Sequence, residues 1–279
     1  VTTTPSPSVA VAIPCYNEAA AVEAVVAAWR AALPDGEIVV FDNNSTDGTG
    51  VIARGLGVRV VDVPDQGKGY VVQAIFATLA DRPAVVLTDG DGTYPADKIA
   101  GLLKPVLAGE ADMTVGARRP VAAAGAMSLL RVVGNLIIPA AFYVLIGPGN
   151  GDLLSGYRVF SPRFLREVKL RSSGFEIETE LASEAVARGM RVVEVPVPYH
   201  PRIAGTVSKL RAFRDGRRIL TMIVVQSLRF RPWRLLGVIG ATLGGVALLV
   251  GSRSMLLVAG TILVAAVAPA AWAHSRARG

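Results

Sequence analysis

Cysteine and histidine are almost missing from these 279 residues: Cys15 is the one cysteine, and His200 and His274 stand far apart. A lone cysteine excludes a disulfide framework, and two distant histidines argue against a zinc site. Charge is sparse as well, at 18% of residues against 52% hydrophobic, with a mean hydropathy of +0.46. Those proportions exclude a disordered or fibrous chain and leave room for one or two domains. Two phosphate-binding signatures are absent. No GxGxxG follows the first apolar run and no GxxxxGK[ST] occurs, so dinucleotide and P-loop readings lose their main support. Residues 1–8, VTTTPSPS, lack the basic-then-apolar pattern of a signal peptide and read as a short disordered lead.

The net charge of +7 first suggests nucleic acid, and its distribution removes that suggestion. Residues 1–201 hold 17 Lys/Arg against 21 Asp/Glu, whereas residues 202–234 hold nine against one. The basicity is a local belt, and two uncharged segments follow it, 235–251 and 255–273. At 1.5 Å per residue they reach roughly 25 and 28 Å, close to the ~30 Å hydrocarbon core. A buried hairpin of a soluble core is the alternative, but such hairpins rarely lack charge on every face. Trp233 and Trp272 fall at the outer ends of the segments, with Arg231 and Arg234 flanking one end and Arg276 and Arg278 the other. These features predict a transmembrane hairpin over 235–273, with both ends and the short tail 274–279 on the cytoplasmic side. Within 205–234, Arg211, Arg214 and Arg218 recur at helical spacing, and Leu210, Phe213, Leu220, Val224 and Leu228 fall near another face. That pattern predicts basic amphipathic helices on an anionic bilayer surface, a solvated charged face being the alternative.

Residues 9–204 read as a separate α/β domain. Apolar runs at 9–14, 37–41, 58–63, 84–89 and 112–116 alternate with helical patterns at 18–32, 47–55, 69–80 and 96–108. Such alternation predicts βαβ units and a mostly parallel, Rossmann-like sheet. Ligands bind beyond the C-terminal ends of such strands. There the polar clusters stand: PCYNE, DNNSTD, DGDGTYP and GARR.

The DGDG of 89–92 is the most informative of them. Asp89 ends a buried run and Asp91 follows one flexible residue, Gly90, so both carboxylates can face one hard cation, Mg²⁺ or Mn²⁺. Asp42 is placed to accept hydrogen bonds from a nucleoside; the alternative is a turn-forming cluster in which Asn43, Asn44, Ser45 and Asp47 also cap the next helix. The GKG of 67–69 precedes a helix, where its amides and Lys68 meet an anion or simply form a turn. The segment 121–147 is apolar except for Arg131 and Asn135, with Pro139 between them and its end. A helix near the bilayer surface is preferred there over a third span, because those residues interrupt a span at its centre.

Taken together, IPCYNE (13–18), DNNSTDGT (42–49), GKG (67–69), DGDGTYP (89–95), VGARR (115–119), DLLSGYRVFS (152–161), GFEIETEL (174–181) and RIAGTVSKL (202–210) resemble family 2 glycosyltransferases of the GT-A fold. The branch they most resemble is the polyprenyl- (dolichyl-) phosphate sugar synthases, over residues 9–220. The resemblance implies that Pro14, Tyr16, Glu18 and Asp42 line the nucleotide pocket, with Lys68 and Gly90 beside the donor. Asp89 would lie near nucleotide and sugar, and Asp91 would bind the metal on the diphosphate. Many relatives carry Gln where this chain has Thr93, which implies one more water on the metal. Arg118 and Arg131 match arginines that hold the acceptor phosphate, with Asn135 where relatives carry Ser. Arg202, Ser208 and Lys209 match a mobile loop that closes over donor phosphates.

The chemistry explains why such groups are needed. An alcohol acceptor requires a general base, worth typically 10²–10⁴-fold. A phosphate monoester, with a second pKa of about 6, is already an anion and needs positioning by cations. Asp152 and the glutamates at 176–180 are the candidate bases, while Glu178 reads as a structural partner of Arg158. The expectation is therefore a metal-dependent hexosyltransferase that uses a GDP- or UDP-sugar and a polyprenyl phosphate in a membrane lipid setting, and the family resemblance implies transfer with inversion. It needs no nucleic acid, and self-association is left open. The rivals are a GT-A enzyme with an alcohol acceptor and a non-catalytic nucleotide-sugar-binding subunit. The QxxRW motif of processive synthases is absent.

Overall fold

A computed structural model describes residues 8–121, 129–149, 152–209 and 211–276. The lead 1–7, Leu210 and Arg278 lie outside the described residues, as do the side chains of Arg131, Asn135, Trp272 and Arg276. The five apolar runs become strands β1 (Ala10–Cys15), β2 (Glu37–Asp42), β3 (Arg59–Asp62), β4 (Val85–Leu87) and β5 (Met113–Pro120). Helices α1 (Val22–Ala32), α2 (Thr49–Gly55), α3 (Lys68–Leu79) and α4 (Ile99–Leu107) connect them, the last after one 3₁₀ turn. Two further strands complete the sheet, β6 (Arg158–Phe160) and β7 (Val192–Tyr199), in the order β3-β2-β1-β4-β6-β5-β7. All pairings are parallel except those of β6, which runs antiparallel to both β4 and β5.

Side-chain alternation along the strands divides the core into two layers. Val11, Ile13, Val40 and Val86 point to the side covered by α1 and α4, where Val22, Val25, Val26 and Trp29 form the buried stripe of α1. Ala12, Val39, Phe41, Val85 and Leu87 face α3, α6 (Pro162–Glu167) and α7 (Ile177–Ala187). Ser161 starts α6 as its cap, accepting a hydrogen bond from the Phe164 amide at 3.2 Å, with Pro162 at the first helical position.

A third apolar cluster joins this domain to the C-terminal helices. Ile138, Phe142 and Leu145 of α5 (Leu129–Leu145) pack with Ala182 of α7 and with Ile219 and Ile223 of α8 (Ala212–Phe230). Helix α5 is therefore amphipathic and docked, with Leu136, Ile137, Tyr143 and Val144 exposed on its other side. Helix α8 likewise turns Phe213, Leu220, Val224 and Leu228 outward. Glu184 of α7 is fully buried between Arg188 and Arg229, at 2.9 and 2.6 Å, and so ties α7 to α8.

Helices α9 (Pro232–Val250) and α10 (Arg253–Arg276) form an antiparallel hairpin around Gly251, which takes the left-handed conformation at φ 71°. Among the described residues α9 is the one helix long and apolar enough to cross a membrane; the described apolar part of α10, Arg253–Ala266, is shorter. Both helices leave large apolar side chains such as Leu248, Leu249, Leu257 and Val264 exposed, unlike the core of a soluble domain. Arg234, expected only as a flanking interfacial charge, donates to the Tyr143 and Val144 carbonyls at 3.0 and 3.2 Å and caps the end of α5.

Candidate active site

Strand order sets the polar clusters side by side. β1 lies between β2 and β4, and its register pairs Cys15 with Asp42. The loops after β1 and β2 are then stitched together: the Asn17, Glu18 and Ala19 amides donate to Ser45 Oγ, Thr49 Oγ1 and Asp47 Oδ2 at 2.9–3.0 Å. Asp47 also accepts from the Thr49 amide at 3.0 Å, and Asn43 bridges to the Val63 and Asp65 carbonyls. Asn43 and Asp47 are thus turn residues, and Asp42, 8% exposed at the end of β2, joins the turn through Oδ1, which accepts from the Ser45 amide at 3.2 Å.

The carboxylates converge around Cys15. Burial pushes its thiol well above the ordinary value, and Glu18, Asp42, Asp89 and Asp47 push it further in the same direction. Gly90 lets the DGDG loop approach this point, because a Cβ there would stand 2.6 Å from Cys15 Sγ and 3.0 Å from the Pro14 carbonyl oxygen. Glu18 is pushed up to about 7, first by burial and then by Asp91 and Asp89, against the opposing charges of Lys209 and Arg202. Among the described residues its buried Oε2 has no hydrogen-bond partner.

Asp91 is almost fully enclosed. Its Oδ1 accepts from the Thr93 amide at 3.0 Å and from Thr93 Oγ1 at 2.7 Å, while Oδ2 pairs with Arg202 at 2.6 Å. Thr93 thereby orients the carboxylate. The Arg202 loop reaches Asp91 because the Ile203 and His200 amides donate to the Asp91 and Thr93 carbonyls at 3.2 and 3.0 Å. Lys209 continues this cover, donating to the Asn17 carbonyl at 3.3 Å with its ammonium 5.8 Å from the Tyr16 ring centre. Ser208 lies exposed on the same loop.

Of the two readings of GKG, an anion contact or a turn, the backbone forms the turn, and Lys68 is engaged by carboxylates. Its ammonium pairs with Asp89 at 2.6 Å and Glu178 at 2.7 Å, and although burial opposes it, these carboxylates hold it above the usual lysine range. The Gly67 and Gly69 amides are also engaged, by Asn43 Oδ1 and the Ser173 carbonyl, so GKG forms a turn. Glu178 consequently partners Lys68, not Arg158. Fully buried Arg158 donates to backbone carbonyls of Leu153, Ser155 and Glu178 instead.

Arg118 and Asp152, expected as acceptor clamp and candidate base, are bound to each other. The guanidinium donates to both carboxylate oxygens at 2.8 and 2.7 Å, and the Arg118 amide adds a third bond at 2.9 Å. Burial would raise the Asp152 carboxyl, but Arg118 holds it below the usual carboxylate range. Tyr199 lies 5.5 Å beneath the guanidinium, and Glu194 accepts from the Asp152 amide at 3.0 Å; neither was visible as a site residue in the sequence. Glu180 binds the Arg171 and Ser172 amides and is structural. Arg131 and Asn135 lie on α5, and what their side chains face is outside the described residues.

Among the described residues no group of three or more His, Cys, Asp or Glu side chains is arranged to hold a metal. The donor set nevertheless fits a hard cation shared with a ligand. Two carboxylates at the end of β4 suffice for Mg²⁺ or Mn²⁺ when phosphate and water complete the shell. Glu18, whose Oε2 has no hydrogen-bond partner among the described residues, adds an uncommitted carboxylate oxygen close to this pair.

Residues 10–125 match the model of the family described as Glycosyl transferase family 2. Glycosyltransferase AglJ of Haloferax volcanii is 36% identical over 239 residues, covering 85% of this chain and 78% of that protein. A dolichyl-phosphate hexose transferase of the same organism is 33% identical over 223 residues, covering 80% and 95%. Among solved structures, glucosyl-3-phosphoglycerate synthase of Mycobacterium tuberculosis, in complex with Mn²⁺, UDP-glucose and phosphoglyceric acid, superposes with a TM-score of 0.60. At 21% identity over 79% of this chain and 80% of that one, it shows the shared GT-A fold. The strand-end carboxylates, the fold and these relatives agree: the chain belongs to glycosyl transferase family 2 and is a glycosyltransferase.

Proposed function

We propose that this enzyme transfers a hexose, with inversion, from a nucleotide sugar to the phosphate of a polyprenol at the cytoplasmic face of a membrane. The observation that carries the reading is the commitment of Asp152 to Arg118. One of the carboxylates that the sequence offered as a base for an alcohol is tied to a guanidinium by two side-chain bonds, which lowers its affinity for a proton. An acceptor that arrives already ionised needs no base, and a guanidinium that Asp152 holds in place would offer its remaining N–H groups to a phosphate. Similarity to a dolichyl-phosphate hexose transferase supports the same acceptor.

On the donor side, Pro14, Tyr16, Glu18 and Asp42 would receive the nucleoside, with Gly90 allowing close approach. Mg²⁺ or Mn²⁺ held by Asp91 and Asp89 would supply charge stabilisation for the leaving diphosphate. Arg202 and Lys209 stand over the same notch, and Arg202 would exchange Asp91 for the phosphates. A UDP- or a GDP-sugar fits this description; the Mn²⁺ and UDP-glucose of the mycobacterial neighbour favour the former. The exposed apolar faces of α8, α9 and α10 support the bilayer setting, with α9 and α10 as two spans and the polyprenyl headgroup between notch and basic belt.

The test is direct. Full-length enzyme in nanodiscs, given undecaprenyl or dolichyl phosphate, Mg²⁺ or Mn²⁺ and labelled nucleotide sugars, should form a labelled lipid; a folded preparation that labels no lipid phosphate sinks the reading. One observation favours an alcohol acceptor: Glu176 is buried, and its Oε2 has no hydrogen-bond partner among the described residues. Loss of transfer in Glu176→Gln with full activity in Arg118→Ala would select that alternative.

A further inference from the structure

We infer that Lys68 and Glu178 are positioning residues for Asp89: Lys68 orients the carboxylate, and Glu178 keeps the ammonium from cancelling its charge as a cation ligand. The inference rests on the reading of Asp89 and Asp91 as holders of the divalent ion. Three elements meet at one point, the end of β4, the first residue of α3 and the first turn of α7. One ammonium, with its side chain 11% exposed, lies 2.6 Å from Asp89 and 2.7 Å from Glu178.

The backbone fixes where this ammonium sits. Gly67 is held by Asn43 Oδ1 at 2.8 Å, and Gly69 by the Ser173 carbonyl at 3.1 Å. The approach at Gly69 is so close that a Cβ would stand 2.0 Å from the Ser172 carbonyl oxygen. Glu178 is fixed from behind, because Arg158 donates to its backbone carbonyl at 3.1 Å. Gly156 completes the setting, since a Cβ there would stand 2.6 Å from Asp89 Oδ2.

The charge count gives this arrangement its function. A lysine alone against Asp89 would make a neutral pair, and its repulsion would offset the attraction of Asp89 for a second cation in an enclosed site. With Glu178 on the same ammonium the trio carries one net negative charge. Asp89 is then held in one orientation and still attracts the metal diphosphate. Groups behind a metal ligand act in this way in known sites.

The test uses full-length protein in nanodiscs without acceptor, and measures Mn²⁺ binding by the EPR signal of free Mn²⁺ with saturating UDP and, separately, GDP. Glu178→Gln should weaken Mn²⁺ binding by about 10- to 100-fold, the range for groups behind metal ligands. Glu178→Asp, which keeps the charge, should stay near wild type. The double variant Glu178→Gln/Lys68→Met should recover part of the loss, because the uncancelled ammonium is gone although its hold on Asp89 goes with it; a merely structural pair would make the double variant worse. Wild-type Mn²⁺ binding in Glu178→Gln, equal weakening in Glu178→Asp, or no recovery in the double variant overturns the inference. Absence of Mn²⁺ binding by the wild type with either nucleotide would overturn the cation reading itself, and the inference with it.

Discussion

Glu18 concentrates the electrostatics of the site in one carboxyl. Its folded-state titration near 7 lies above the ordinary value of 4.5, chiefly because it is buried. The folded state therefore binds more protons than the unfolded state between those two values, and stability falls as pH rises through that window. In the absence of metal and nucleotide, Glu18→Gln should lose this component, and melting curves from pH 4 to 8 should show a shallower decline than wild type. Arg118 offers a second test at the same scale. Arg118→Ala should lower kcat/KM for polyprenyl phosphate by roughly 10²- to 10³-fold, the loss typical of removing one charge-stabilising donor, with little change in KM for the nucleotide sugar. An equal rise in both KM values would count against an acceptor role. Both residues stand out in the sequence by motif. Their partners do not, because Asp152 is 34 residues from Arg118 and Lys209 is 191 residues from Glu18, and only the fold brings such groups together.

Between elements, close backbone approach and buried ion pairs do the joining. Gly69→Ala would force the start of α3 away from the 172–173 loop, where no side chain can yield. A loss of about 3 kcal/mol is expected, the upper range for overpacking, visible as a lower urea midpoint in detergent. Glu184→Ala would leave Arg188 and Arg229 facing an empty buried position between α7 and α8. Removing one partner of a buried pair costs about 3–5 kcal/mol, reduced here because both arginines are near 30% exposed, and the same denaturation measures it. The elements differ in how legible they are. The first five strands are readable because each contains a short apolar stretch next to a helical period. Strand β7 is hidden by Pro196 and Pro198, which its place at the sheet edge tolerates. Strand β6 has three residues, and its reversed direction depends on partners far away in sequence.

At the scale of the whole molecule, a soluble-looking α/β domain continues into helices with outward-facing apolar side chains. If α9 and α10 are two spans, the turn between them lies on the opposite side of the membrane from the active site. The single cysteine makes this measurable, since Cys15 is buried and should not react with an impermeant maleimide. Ser254→Cys, at the exposed start of α10, should be labelled from the external face of intact spheroplasts. Labelling only after permeabilisation would contradict the two-span arrangement.

Local pattern alone determined the alternation of strands and helices, the carboxylates at strand ends and the confinement of positive charge to one belt before two apolar segments. Each of these is a property of neighbouring residues, either a period or a run. Tertiary structure decided how charges are matched: Lys68 with Asp89 and Glu178, Arg202 with Asp91, Arg118 with Asp152. Such pairs form where strand order and loop contacts bring together residues distant along the chain. Enclosure from water then makes those pairings strong enough to orient the groups.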